Sequence, residues 1–153
     1  MKDKFIRAHM KVAKVYAGLS SARRRKVGAV AVKDGRILSI GYNGTPAGWD
    51  NECEESVLWH KGKQLPTPMV MTKPEVIHAE INVIAKLAAS TESGKGAALF
   101  IYSCSPCMEC AKLIYAVGIS EVYFIEKYHN EDGLSFLKKV GVKVFQLERT
   151  PGW

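Results

Sequence analysis

Two short fragments of this chain combine residue types that can bind a metal and move protons. His78 and Glu80 stand two residues apart, and a Pro-Cys-Met-Glu-Cys run that contains Cys107 and Cys110 follows after 25 intervening residues. Together they offer one imidazole, two thiols and one further carboxylate. Structural zinc usually takes four protein ligands, whereas catalytic zinc keeps one position for water. The set therefore predicts one catalytic zinc ion per chain, bound by His78, Cys107 and Cys110.

The order His-x-Glu followed by Pro-Cys-x-x-Cys resembles the signature of zinc-dependent deaminases that act on nucleobases. Cys107 and Cys110 are spaced to lie on one face at the start of a helix, where the helix dipole favours thiolates. Bound zinc lowers the pKa of water. Glu80 is predicted to take the proton of that water, deliver it to the base and protonate the departing amine. The backbone N–H of Ala79 is a candidate donor to a carbonyl oxygen of the base.

A closed structural zinc site is the alternative from another functional class. Cys104 extends the run to Cys-x-x-Cys-x-x-Cys, so that His78 and three thiols could surround an ion in a non-catalytic module. Pro106 favours a helix boundary that separates Cys104 from the other two thiols, and Glu80 would have no task in such a site. The remaining candidate ligands are interpreted as loop, surface or packing residues: Cys53, His9, His60 and His129.

The elements that must position these residues follow from periodicity and turn residues. A helical stripe covers 3–17, and two strands at 27–33 and 36–42 are joined by Asp34-Gly35, which is typical of a two-residue hairpin. Residues 43–74 are rich in Gly and Pro and are predicted to form a long functional loop. Helices and strands then alternate over 79–90, 97–102, 107–117, 121–126, 131–139 and 142–147.

This order predicts a three-layer α/β/α fold with a mixed five-stranded sheet, in which an antiparallel hairpin precedes a βαβαβ unit. A single zinc-dependent domain over 1–153 is expected. The predicted buried face of the helix after His78 consists of Ile77, Ile81, Ile84, Ala85 and Ala88, and that of the helix after Pro106 of Ala111, Ile114 and Val117. If both helices lie on one face of the sheet, their N-termini bring the zinc ligands together.

Composition narrows the class of protein. The chain has 153 residues, 47% of them hydrophobic, and no apolar run near the roughly 20 residues that span a bilayer. Its first residues lack a cleavage site for export, and four cysteines are few for a disulfide framework. A soluble, cytoplasmic protein without a membrane partner is therefore expected. The formal charge of +7 favours anionic partners, phosphates first, although a basic solubilising surface gives the same charge.

Further motifs resemble the deoxycytidylate deaminase family of the cytidine deaminase superfamily: 20–28 (SSARRRKVG), 41–48 (GYNGTPAG), 77–82 (IHAEIN), 105–112 (SPCMECAK) and the closing βαβ unit. The motif at 41–48 points to the deoxynucleotide branch. The resemblance implies hydrolysis of dCMP to dUMP with release of ammonia. It also implies that Arg24 binds the 5′-phosphate, that Asn43 contacts the deoxyribose and that Tyr128 stacks on or closes over the base.

The same resemblance implies regulation. Family members form hexamers that dCTP activates and dTTP inhibits, with Mg²⁺ bound at the nucleotide triphosphate. The segment 43–55 is the predicted effector site, with Asn43, Gly44, Asp50 and Glu54 as its candidate residues. A mobile active-site lid without an effector is the alternative. Some members carry a cysteine for a second, structural zinc where this chain has Ala22, so that second metal is not expected.

A tRNA adenosine deaminase is the rival enzyme, because it shares both zinc motifs and suits a basic surface. It needs an open groove for a flipped base, whereas a mononucleotide enzyme needs a closed pocket with a phosphate clamp. The motif at 41–48 together with Arg24 favours the mononucleotide enzyme, so no stable nucleic-acid partner is expected.

Overall fold

Seven strands and four helices make up the computed structural model, which describes residues 1–149. The helices are α1 (Asp3–Ala17), α2 (Ala79–Ala88), α3 (Met108–Ala116) and α4 (Asp132–Lys139). The strands are β1 (Gly28–Lys33), β2 (Arg36–Tyr42), β3 (Glu54–His60), β4 (Lys63–Thr72), β5 (Ala98–Cys104), β6 (Glu121–Glu126) and β7 (Lys143–Gln146). Residues 150–153, the end of the domain predicted over 1–153, lie outside the described residues. Within 1–149, every helix falls short of the length and hydrophobicity that crossing a bilayer requires.

The central sheet has the strand order β2-β1-β5-β6-β7. β1 runs antiparallel to both β2 and β5, whereas β5, β6 and β7 are parallel. The turn between β1 and β2 places Asp34 and Gly35 at positive φ, as the predicted two-residue hairpin requires. The predicted mixed five-stranded sheet is confirmed.

Helices cover both faces of this sheet. α1 packs its buried Met10 and Ala13 on one face, against Val30 of β1 and Phe100 of β5. α2, α3 and α4 share the core on the opposite face. The predicted three-layer arrangement is therefore confirmed, and α2 and α3 lie on the same side of the sheet.

The buried face predicted for α2 was wrong. The helix buries Ala79, Glu80, Val83 and Leu87, while Ile77, Ile81 and Ile84 are half-buried and Ala85 and Ala88 are exposed. The physical reason is a close approach to β2 at Gly41, where a Cβ would lie 2.6 Å from the carbonyl oxygen of Ala79. Because the small residue Ala79 faces β2 at this point, the next buried positions of the helix are Val83 and Leu87, one and two turns later.

The long loop predicted for 43–74 was also partly wrong, because residues 54–72 form an antiparallel hairpin of their own. A register shift separates the pair Val57–Met69 from the pair Trp59–Gln64. Pro66 and Pro68 lie in β4 between these two pairs, where β4 has more residues than β3. Where strand pairing is interrupted in this way, apolar and polar residues do not alternate regularly along the sequence. The two-residue period by which a strand is recognised is therefore absent.

Candidate active site

The three predicted zinc ligands lie where two helices begin. His78 and Cys107 are the N-cap residues of α2 and α3, and both have extended backbones. Cys110 is buried in the first turn of α3. Because both helices cover the same face of the sheet, their N-termini meet near the end of β5. The local sequence sets each helix start, and the sheet brings the two starts together.

The ligand atoms of these residues form a compact group. Nδ1 of His78 lies 3.3 Å from Sγ of Cys110 and 3.6 Å from Sγ of Cys107. All ligand atoms of the group lie within 4.8 Å of one another. Tetrahedral zinc with bonds of about 2.0–2.3 Å separates its ligands by roughly 3.3–3.8 Å. The donor set therefore fits zinc and leaves a coordination position for a ligand that is not protein.

The protonation states of the thiols also suit a cation. A hydrogen bond from the thiol of Cys110, together with one from His78, lowers the pKa of Cys107 to about 3. The same hydrogen bond is the main reason that the pKa of Cys110 is raised, and burial of the thiol raises it further. The hydrogen bond with Cys107 is also the main reason that the pKa of His78 is raised. These shifts favour the thiolate at Cys107, and a bound cation would require Cys110 to release its proton.

Glu80 is buried beside this group, with 5% of its surface exposed. Burial raises its pKa, while the charge of His78 acts in the opposite direction. Glu109 offers an internal comparison, because it follows Cys107 by two residues as Glu80 follows His78. Glu109 is exposed and forms an ion pair of 2.9 Å with Lys112. A buried carboxylate with a raised pKa is the form that can both accept and return a proton.

Cys104 ends β5, as expected from Pro106, and lies outside the His-Cys-Cys group. Burial raises its pKa, and a hydrogen bond with Arg25 opposes that shift. Arg25 also lies 3.7 Å from Glu126 through its Nη1 atom. Arg25 was not singled out from the sequence, because nothing within the RRRK run distinguishes it from its neighbours.

Close packing supports the loop that carries the thiols. Ser103 has a φ of 106° at an irregularity in β5, a conformation that is strained for a residue with a side chain. A Cβ on Gly133 of α4 would lie 2.3 Å from the carbonyl oxygen of Pro106 and 2.9 Å from that of Cys107. Sequence reasoning missed Gly133, although a glycine in the first turn of a predicted helix is a signal of close backbone approach.

Tyr128 lies over the same end of the sheet. Its backbone N–H donates to Oγ of Ser105 at 2.8 Å, and the N–H of Ser105 donates to the carbonyl of Glu126 at 2.8 Å. Burial raises the pKa of Tyr128, the negative charge of Cys107 adds to this, and Arg24 opposes it. The half-buried ring is thus within electrostatic range of both the predicted metal ligands and the predicted phosphate ligand.

The arginine segment is fixed by a buried carboxylate. Oε1 of Glu54 accepts the backbone N–H groups of Arg23 and Arg24 at 2.9 and 3.0 Å. The Glu54 side chain is only 2% exposed, whereas Arg24 is exposed and donates from Nη1 to Thr72 at 3.3 Å. The part of Glu54 in an effector site stays a prediction. The contact observed here positions Arg24.

Of the predicted substrate and effector residues in 43–50, Asn43 and Gly44 contact segments that border the site, whereas Asp50 lies on the surface. Oδ1 of Asn43 accepts the N–H of Val27 at 2.8 Å, and Nδ2 donates to the carbonyl of Arg25 at 2.9 Å. Gly44 exchanges two backbone hydrogen bonds with Ile77, the residue before His78. Asp50 is exposed and lies 3.8 Å from Lys73. The segment is therefore joined directly to the start of α2.

Cys53, predicted not to bind the catalytic metal, lies apart from it in a small buried cluster with Ala22 and Val76. Its Sγ atom is 3.6 Å from Oγ of Ser21. Ala22 and Val76 offer no metal ligand through their side chains.

Comparisons with known proteins place this arrangement in a family. Residues 3–126 match the family model described as the cytidine and deoxycytidylate deaminase zinc-binding region. Deoxycytidylate deaminase of phage T4 is 33% identical over 155 residues, covering 81% of this chain and 80% of that protein. The human deoxycytidylate deaminase is 37% identical over 126 residues, covering 80% of this chain and 66% of that protein.

Among solved structures, dCMP deaminase of the cyanophage S-TIM5, in complex with dCMP and dUMP, superposes with a TM-score of 0.83. It is 39% identical, and the match covers 96% of this chain and 99% of that chain. With the fold, the zinc-ligand group and the sequence relatives in agreement, this chain belongs to the cytidine and deoxycytidylate deaminase family.

Proposed function

We propose that the chain is a zinc-dependent enzyme that hydrolyses dCMP to dUMP and ammonia. One observation carries this proposal: the zinc-ligand group and the buried Glu80 lie at one site. The cyanophage relative with both nucleotides bound supports the choice of dCMP.

In this proposal, His78, Cys107 and Cys110 bind zinc. A bound zinc ion supplies Lewis acidity, which lowers the pKa of a water molecule. Glu80 accepts one proton of the attacking water and passes it to the ring nitrogen N3 of cytosine while the water oxygen bonds to C4. It then takes the second proton from the new C4 hydroxyl group and gives it to the amine, which leaves as ammonia as the C4 carbonyl forms. Its burial excludes bulk water and raises its pKa, a direction that suits a group that must both accept and return a proton. The backbone N–H of Ala79, at the open start of α2, donates to the carbonyl oxygen of the base.

Three further residues select the nucleotide. Arg24 binds the 5′-phosphate through its planar guanidinium, and the carboxylate of Glu54 fixes its backbone. Tyr128 closes over the base. Asn43 contacts the deoxyribose with the second hydrogen of its Nδ2, since the contacts within the chain use one donor and one acceptor position of the amide.

A substrate panel tests the proposal. The purified protein is incubated with dCMP, CMP, dCTP, deoxycytidine and a tRNA that contains adenosine in its anticodon, and ammonia release is followed. We expect dCMP to have the highest kcat/KM. Turnover of the tRNA without turnover of dCMP would establish the rival tRNA deaminase, and zinc binding without any turnover would establish a structural module.

Regulation forms the second part of the proposal. We infer that dCTP with Mg²⁺ activates and dTTP inhibits a homo-oligomeric, cytoplasmic enzyme from a site around Asn43, Gly44, Asp50 and Glu54. The hydrogen bonds between Gly44 and Ile77 support a route from this segment to His78. An effector must bind the active conformation better than the inactive one, with coupling of about 1–3 kcal/mol.

Saturation kinetics test this part. The dCMP curve should be sigmoidal without effector and nearly hyperbolic with dCTP and Mg²⁺. A hyperbolic curve that dCTP does not change, measured on an oligomeric sample, would leave only the mobile lid.

A further inference from the structure

Two chain segments that border the candidate site leave the sheet side by side. The zinc loop, residues 105–107, follows β5, and the segment that carries Tyr128 follows β6. These strands are parallel, and their last paired residues are Cys104 and Glu126. The N–H of Ser105 donates to the carbonyl of Glu126 at 2.8 Å, and Oγ of Ser105 accepts the N–H of Tyr128 at 2.8 Å. Ser105 therefore joins the two segments at the point where the strands end.

The hydroxyl of Ser105 is the backbone anchor of the Tyr128 segment. Within residues 1–149, the backbone groups of 127–130 make no other hydrogen bond. The ring of Tyr128 lies 4.0 Å, centroid to centroid, from that of His129, which belongs to the same segment. That ring contact cannot fix the segment relative to the zinc loop. The hydrogen bond to Ser105 does, because it crosses from one segment to the other.

The position of this hydroxyl in the core is unusual. Ser105 is only 1% exposed, and a buried hydroxyl costs free energy unless it is hydrogen-bonded. An alanine would fill most of the same space without that cost. The hydrogen bond with Tyr128 is thus the contribution of Ser105 that an apolar residue could not supply.

The ring that this bond positions lies on the side of the zinc ligands. Tyr128 packs against the core that α2, α3 and α4 share, and the charge of Cys107 acts on its phenol. Cys107 follows Ser105 by two residues, and the intervening Pro106 has a fixed φ. One short hydrogen bond and two residues of chain therefore connect the ring to a predicted metal ligand.

We propose that Ser105 is a positioning residue that sets the distance between the ring of Tyr128 and the zinc-ligand group. The inference rests on the proposed function, in which Tyr128 closes over the base. A base that is held beside zinc and Glu80 can stack on this ring only when the ring lies at a matching distance. Stacking on an aromatic ring stabilises the bound base. Ser105 thus contributes to nucleotide affinity and takes no part in the proton transfers.

Ser105→Ala tests this role. Affinity for dUMP, the proposed product, is measured by titration calorimetry on the zinc-loaded protein, so that the readout needs no turnover. The Kd should rise about 3–10-fold, the worth of one neutral hydrogen bond, while kcat for dCMP stays within about twofold of the parent. Ser120→Ala is the matched control, because Oγ of Ser120 donates to the carbonyl of Ala97 at 3.3 Å at the opposite end of the same two strands. The control should bind dUMP as the parent does.

A double-mutant cycle shows whether Ser105 acts through Tyr128. In a Tyr128→Ala background, the additional change Ser105→Ala should alter the Kd for dUMP by less than about twofold. Amide hydrogen exchange reports the contact itself in the free protein. The amide of Tyr128 should exchange about tenfold faster in Ser105→Ala than in the parent and at the parent's rate in Ser120→Ala.

Three results would overturn the proposal. The first is an unchanged Kd in Ser105→Ala, and the second is an equal rise in Kd with and without the ring of Tyr128. The third is loss of zinc together with kcat in Ser105→Ala, because that result would show a purely structural role. A parent that binds dUMP without turning over dCMP would refute the proposed activity alone, and the Kd comparison would still decide the role of Ser105.

Discussion

Replacing Glu80 with glutamine separates its chemistry from its packing. The two side chains have nearly the same size, so the buried position remains filled and no cavity forms. The amide cannot accept a proton from water or return one to a leaving amine. General acid–base catalysis contributes about 10²–10⁴-fold to rate, which is roughly 2.7–5.4 kcal/mol of activation free energy. We expect a loss near the upper end, because one carboxylate moves each proton in turn.

The measurement is kcat for dCMP in parent and variant, with zinc determined in both samples. We expect one zinc per chain in each, because the ligand group does not include Glu80. The matched control is Glu109→Gln, which changes the exposed carboxylate at the equivalent position after Cys107. It should retain activity within about twofold.

Two outcomes would contradict this reasoning. Activity of Glu80→Gln within tenfold of the parent, with zinc bound, would show that another group moves the protons. An equal loss in Glu109→Gln would show that negative charge near the helix starts matters more than a buried proton carrier.

Three further predictions concern binding, packing and pH. Arg24→Ala should lower kcat/KM for dCMP by about 10–100-fold, the worth of a charged hydrogen bond, and should leave kcat/KM for deoxycytidine within about twofold of the parent. Equal losses for both substrates, or the same loss in the distant control variant Arg36→Ala, would argue against phosphate binding by Arg24. Gly133→Ala should lower stability by about 1–3 kcal/mol and weaken zinc retention, because the new Cβ meets the Pro106 carbonyl; the exposed control Ser135→Ala should change neither, and normal zinc retention in Gly133→Ala would refute the contact. Burial raises the pKa of Tyr123 to about 12, so the folded state binds the phenol proton more tightly than the unfolded state, and the free energy of unfolding should fall between about pH 10 and 12. Alkaline unfolding of Tyr123→Phe should therefore shift to higher pH. An unchanged pH midpoint of unfolding would contradict this reasoning.

Local patterns in the sequence were enough to predict that His78, Cys107 and Cys110 form one group, and to predict most of the elements. The residues of His-x-Glu and of Cys-x-x-Cys are close in sequence, so the start of a helix directly fixes the relative positions of their side chains. The helix at 3–17 and the hairpin around Asp34 depend likewise on periodicity and turn residues, and the structure has both. The alternation after residue 78 was sufficient for the parallel part of the sheet, because such connections have few allowed arrangements.

Only the tertiary structure decided which surfaces meet. The predicted face of α2 was wrong because a close approach at Gly41, a contact distant in sequence, determines which residues of the helix are buried. The hairpin at 54–72 escaped prediction because its prolines and register shift interrupt the alternation of a strand.

The carboxylate of Glu54 shows the same limit. In the sequence it is one acidic residue among four between positions 50 and 55, and nothing there shows which backbone groups its carboxylate contacts. In the fold it is buried beneath two backbone amides of the arginine segment. Sequence determines the chemistry each side chain can perform, whereas the partner it meets across 30 or more residues depends on the packing of the whole chain.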